Sequence, residues 1–219
     1  MSSNELQLLW VGLGETLYMT GIALVLSYIF GLPLGVILVT TEKGHIWESP
    51  LLNRTLGAIV NATRSIPFII LLVAVIPLTR LLVGTSIGTT AATVPLVIGA
   101  VPFVGRMVET SLKEVDRGLV EAALAMGATP LQIIFKVLLP ESIPSLILGA
   151  TITAITLIGY SAMAGFVGGG GLGDLAVKYG YYRYKTEIML ATIAVLVILV
   201  QVIQSFGNYL AKLYNKKHK

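Results

Sequence analysis

The sequence predicts an all-α integral membrane protein with five transmembrane helices, a short cytoplasmic helix between the third and fourth, the N-terminus outside and the C-terminus inside. Three observations carry that expectation. Hydrophobic residues make up 55% of the 219 and charged residues only 12%, and the mean hydropathy of +0.87 lies far outside the range of soluble globular domains. Several apolar runs approach the roughly 20 residues that a helix needs to cross a bilayer, and none alternates with the period of two that a barrel strand requires. The basic residues fall unevenly on the connections between these runs.

In chain order the spans are expected near residues 16–40, 56–82, 91–109, 141–164 and 187–211, all within one domain covering 1–219. The first twenty residues carry Glu5 and Glu15 but neither Lys nor Arg, the reverse of a basic signal-peptide start, so the N-terminus is expected to be retained. With that terminus outside, ten basic residues fall in the cytoplasm: Lys43, Arg54, Arg106, Lys113, Arg117, Lys136, Lys212, Lys216, Lys217 and Lys219. Arg80, Lys178, Arg183 and Lys185 fall outside, and Arg64 lies within the second span. The positive-inside rule therefore sets the orientation. The net charge of +4 reads as topology and as contact of the tail "KLYNKKHK" with anionic lipid. No aromatic-basic groove accompanies it, so no nucleic-acid partner is expected.

Helix breakers recur inside the spans: Gly31 and Pro33, Pro67 and Pro77, Pro95 and Pro102. They mark either ordinary kinks or hinges in a bundle that moves, since neighbouring helices can satisfy the carbonyls they release.

The stretch "EAALAMGATPLQIIFKVLLPESIP" breaks the apolar pattern between the third and fourth spans, within a loop at about 112–140. Glu121, Ala122, Ala123 and Ala125 suit a short helix, Gly127 suits a left-handed cap, and Thr129 with Pro130 suits the N-cap and first position of a second helix running through Leu131 to Leu138. Small residues permit close approach. Such an element either lays its face in a groove of a partner protein or lies on the lipid headgroups.

That stretch resembles the signature loop of the binding-protein-dependent ABC importer permeases: Glu-Ala-Ala, three residues, Gly, nine residues, Ile, one residue, Leu-Pro. Here the positions are Glu121, Ala122, Ala123, Gly127, Val137, Leu139 and Pro140, with Val137 in place of Ile. Along nearly the whole chain, "RSIPFIILL", "VGTSIG", "RMVE", "AMGATPLQI" and "TITAITLIGYSAMAGFVGGGGLG" are similar to the methionine importer permeases of that family. The resemblance implies that Glu121, Ala122, Ala123, Gly127, Ala128, Thr129 and Pro130 couple the chain to an ATPase. It also implies a homodimer in the bacterial cytoplasmic membrane, two cytoplasmic ATPase subunits that hold ATP and Mg, and an external substrate-binding protein. Import of methionine, L- and D-, by alternating access would follow. The alternatives are an ABC permease for another small amino acid or related compound, and an ion-driven secondary carrier.

The residues themselves narrow the chemistry. No GxxxxGK[ST] pattern occurs, so no phosphate-cradling loop belongs to this chain and no cofactor is expected on it. Residues Gly168 to Gly173 satisfy G-x-G-x-x-G, but they follow a span instead of a strand, which reads as a turn or re-entrant loop. The chain has no cysteine and only His45 and His218 as histidines, and neither joins a metal-ligand or nucleophile pattern. Ion coupling calls for intramembrane charge. Arg64 is the one clear case, placed to snorkel, to pair with a helix end, or to line the path.

Two further groups are singled out. Tyr160, Ser161 and Met163 on the fourth span are expected on the translocation path, Met163 either as a yielding gate or as ordinary packing. Tyr181, Tyr182 and Arg183, in a loop rich in Tyr and basic residues, suit an interfacial belt or docking of the binding protein.

Overall fold

The computed structural model describes residues 3–217, so of the basic tail His218 and Lys219 lie outside the described residues, as do the side chains of Lys216 and Lys217. Among the described residues every regular element is helical. Four helices are long and apolar enough to cross a membrane: α1 (Ser3–Thr40), α5 (Thr89–Lys113), α9 (Ile143–Ala164) and α11 (Thr186–Lys217). Between them lie α2 (Pro50–Arg64), α3 (Phe68–Ala74), α4 (Ile76–Val83), α6 (Arg117–Ala125), α7 (Pro130–Ile133), α8 (Leu139–Glu141) and α10 (Gly171–Leu175).

Helix α1 begins thirteen residues before the expected start of the first span, because the run from Leu6 to Leu13 is largely apolar and no proline separates it from the rest of the helix. Its 38 residues amount to about 57 Å at 1.5 Å per residue, nearly twice the roughly 30 Å of a hydrocarbon core. The expected second span is not one rod. Pro67 lacks a backbone donor and holds Ile66 out of the helical region, so α2 and α3 meet at 98°. The chain then breaks again at Val75, and Gly84, at φ +83°, ends α4. The bent α2–α3 pair supplies the fifth candidate crossing.

The other breakers behave differently. Pro33 remains inside α1, and Pro95 and Pro102 remain inside α5. Gly31 and Gly35 are contact points: a Cβ on either would overlap Val104 or Val108 of α5. This small-xxx-small spacing lets two helix backbones approach in the absence of a hydrophobic drive between apolar rods. At Gly207, likewise, α11 crosses α9 against Thr151, where a Cβ has no room.

The buried side chains form three groups. One around Met19, Leu71, Leu96 and Leu157 lies mid-bundle; one around Val39, Val108, Leu112, Ile133 and Leu138 lies beneath α6; one around Leu9, Leu172 and Ile188 lies beneath α10. The α6 end and the α10 end are thus each built on a dedicated apolar floor.

Candidate functional site

Helix α6 starts at Asp116, whose carboxylate accepts from the Gly118 N–H at 2.7 Å, the arrangement that satisfies an orphan donor at a helix start. Val120 and Ala123 face the apolar floor, 9% and 5% exposed. Glu121, Ala122 and Ala125 are exposed, and so are the larger Leu119, Leu124 and Met126, so the outward face mixes small and bulky apolar side chains. Gly127 takes φ +80°; its N–H donates to Leu124 O at 2.9 Å, and the Ala128 N–H donates to Ala123 O at 3.0 Å. Those two bonds form a Schellman motif, and they fold half-buried Ala128 back toward the floor.

The next helix starts at once. The Thr129 N–H donates to Gln132 Oε1 at 2.8 Å and the Gln132 N–H to Thr129 Oγ1 at 3.4 Å, with Pro130 in the first turn. This is a capping box. The helix does not continue in α form to Leu138 as the sequence suggests. Residues Ile134–Leu138 are π-helical, because Pro140 offers no donor and its ring would strike the carbonyl four residues back, a conflict that a wider turn relieves. Glu121 and Leu124 also wall a cavity of about 400 Å³ against Glu42, His45 and Ile46 of the α1–α2 connection. Burial pushes the His45 pKa below its usual value, Arg117 and Lys113 add to the effect, and Glu42 opposes it.

Sequence reasoning missed an ionic cluster beside this element. Glu109 is 7% exposed and pairs with Arg106, and through its other oxygen with Lys113 Nζ at 3.1 Å. The signal was present in the i, i+3 and i, i+4 spacing of Arg106, Glu109 and Lys113 at the end of the third apolar run. Arg64 is therefore not alone among charges near the spans. It closes the last turn of α2 and places its guanidinium 5.8 Å from the Phe103 ring centroid, a cation–π contact at a helix end.

On α9 the three singled-out residues occupy different faces. Tyr160 stacks on Phe68 at the start of α3, Ser161 is buried with its hydroxyl donating to Ile158 O at 2.8 Å, and Met163 is 43% exposed. Just beyond, the glycine run is a tight turn. Gly165 and Gly173 have no space for a Cβ. The Gly171 N–H donates to Glu15 Oε2 at 2.6 Å, and the Leu172 N–H to Thr16 Oγ1 at 2.9 Å, so α1 clasps the start of α10.

Residues Ala176–Tyr181 are π-helical and lead to the tyrosine-rich loop. Tyr181 and Tyr182 are exposed and meet edge to face at 5.3 Å, and the Arg183 guanidinium lies 4.6 Å from the Tyr179 ring centroid. Tyr184 adopts φ +53°, and Lys185 Nζ lies 2.7 Å from Glu5. Among the described residues no group of three His, Asp or Glu side chains is placed to hold a metal.

Comparison with known proteins gives a consistent picture. A probable D-methionine transport system permease protein MetI of Vibrio cholerae is 59% identical over 198 residues, 90% of this chain and 88% of that protein. The D-methionine transport system permease protein MetI of Escherichia coli is 57% identical over 165 residues, 75% of this chain and 76% of that one. A solved structure described as inward facing conformations of the MetNI methionine ABC transporter superposes with a TM-score of 0.96 at 53% identity, covering 98% of this chain and 99% of that chain. Residues 31–217 match the binding-protein-dependent transport system inner membrane component family, and with most of its length inside that match the chain belongs to this family.

Proposed function

We propose that the chain is the permease subunit of an ATP-driven importer of methionine, assembled as a homodimer with two ATPase subunits and served by an external binding protein. The observation that carries the reading is the likeness to the methionine transporter structure over 98% of this chain at 53% identity. The E. coli and V. cholerae relatives, whose names specify D-methionine, extend the substrate to that isomer.

In this reading the N-terminus is outside, so the α6 end faces the cytoplasm and the α10 end faces out, as the basic-residue asymmetry requires. The exposed face of α6, with Glu121, Ala122 and Ala125 beside Leu119 and Leu124, seats in the ATPase, with Gly127 to Pro130 fixing the elbow behind it. ATP and Mg are held by the partner, whose closure displaces α6 and rocks the helices behind it, opening the path alternately to each side. Met163, exposed on the single chain, gates the path against its copy in the partner subunit. Tyr181, Tyr182 and Arg183 form the outer docking surface, since exposed Tyr and Arg supply interface hot spots.

The test is purification of the membrane complex through a tag on this chain alone. An ATPase that copurifies with the wild type and is lost with Glu121→Lys, together with ATP-dependent uptake of labelled methionine by the wild type, is the expected result. A stable chain with no ATPase partner would overturn it.

A further inference from the structure

Helix α5 delivers the chain into α6, and its last two turns carry the buried carboxylate of Glu109 between two cations. Arg106 extends the cluster to α2, donating from Nη2 to Asn61 Oδ1 at 2.9 Å and to Gly57 O at 3.3 Å. Lys113 extends it the other way, to Glu42 at 3.1 Å, just past the end of α1. Through these two cations one carboxylate joins three segments, the connection just past α1, helix α2 and helix α5, and α6 begins four residues after Lys113.

Stability alone does not account for this arrangement. Helix α5 is already secured to α1 by the close glycine contacts at Gly31 and Gly35. The outer pair, Lys113 and Glu42, has side chains 42% and 38% exposed, and ion pairs at that exposure add little to folding. Such a pair does fix geometry: the Lys113 ammonium, oriented by Glu109 one turn back, ties the end of α5 to the α1–α2 connection four residues before α6 begins.

We propose that Glu109, Lys113 and Glu42 are positioning residues that hold the root of α6 to the end of α1, so that displacement of α6 by the ATPase reaches α1 and α2 together instead of being absorbed at the α5–α6 joint. The inference rests on the reading of α6 as the coupling element. Its consequence is a ratio: weakening the cluster lets ATP be hydrolysed without a matching transport event.

The experiment uses the full complex in proteoliposomes with the binding protein, measuring labelled methionine taken up per ATP hydrolysed. Glu42→Gln and Lys113→Met are expected to lower that ratio roughly two- to thirtyfold, the range over which residues remote from both ligands change coupling, while Lys113→Arg keeps it. A purely structural role would reduce the yield of complex and scale uptake and hydrolysis together, leaving the ratio at the wild-type value. That result with both variants overturns the proposal, as does loss of the ATPase subunits from either complex, which would make the cluster a docking site. Glu121→Lys is run in parallel: if it retains the ATPase, the coupling-element reading itself fails, whatever the ratios in the other variants.

Discussion

The rings of Phe68 and Tyr160 lie parallel with centroids 4.2 Å apart, which fastens the first residue of α3, just after the 98° bend, to the last turns of α9. An offset stack contributes about 0.5–1.5 kcal/mol beyond the area it buries. Phe68 is also 7% exposed, so Phe68→Ala is expected to destabilise the chain by about 3–5 kcal/mol in all. Tyr160→Phe retains the stack and leaves the melting temperature of the purified complex unchanged; thermal unfolding in detergent compares the two.

Gly127 is a purely conformational requirement. No heavy atom lies within 4 Å of a Cβ built on it, so Gly127→Ala costs only the left-handed backbone, about 1–2 kcal/mol. Its expected effect is a roughly five- to thirtyfold weaker hold on the ATPase, the factor that such an energy represents, with normal membrane insertion. Gly127→Asn, which tolerates that region, loses less. Titration of the purified chain with its ATPase measures both.

Much of this architecture is legible in the sequence. The apolar runs, the cap at Gly127 and the N-cap at Thr129 with Pro130 are local signals, each carried by a few adjacent residues. Apart from the local spacing of Arg106, Glu109 and Lys113, what stayed hidden depends on a distant partner. Gly31 reads as a breaker because its role is set by Val104, seventy-three residues away. The bend at Pro67 is stronger than the breaks at Pro33 or Pro95, although all three residues present the same chemistry to a reader of the chain. The difference lies in the neighbours: Pro33 and Pro95 sit in helices packed against each other, whereas α2 is mostly exposed. Glu15 looks like an N-terminal charge until Gly171 is placed beside it.

The Glu15 clasp can be tested with the absence of cysteine as an aid. Ser161 is 2% exposed and precedes Ala162, on which Gly173 packs. In a Ser161→Cys chain, adding Glu15→Ala is expected to raise the rate of labelling by a water-soluble thiol reagent several-fold, in proportion to the opened fraction. Adding Glu15→Gln, which keeps an acceptor oxygen for the Gly171 amide, leaves the rate near that of the parent. Equal rates in all three chains would mean that the clasp does not hold this turn closed.

His45 gives the α6 end a pH dependence of definite sign. Its pKa is lowered in the fold, first by burial and then by Arg117 and Lys113, with Glu42 pulling the other way. The folded chain thus binds its proton less readily than the unfolded chain. The native state keeps full stability above the ordinary histidine range near 6.5 and loses stability as pH falls through that value and then through the folded pKa. His45→Gln is expected to flatten this dependence between about pH 7 and 5; melting temperatures of the two chains across that range would show it.

The clasp between α1 and α10 also sets a schedule for synthesis. Glu15 and Thr16 are separated from Gly171 and Leu172 by 156 residues, and at about 5–20 residues per second the ribosome needs roughly 8–30 s to make the second half after the first. For that interval the carboxylate has no amide to meet. Its position just ahead of the most apolar part of α1 leaves it within reach of water and headgroups while it waits. The clasp therefore closes only after α9 has followed α1 into the bilayer, making it a late event in the chain's assembly.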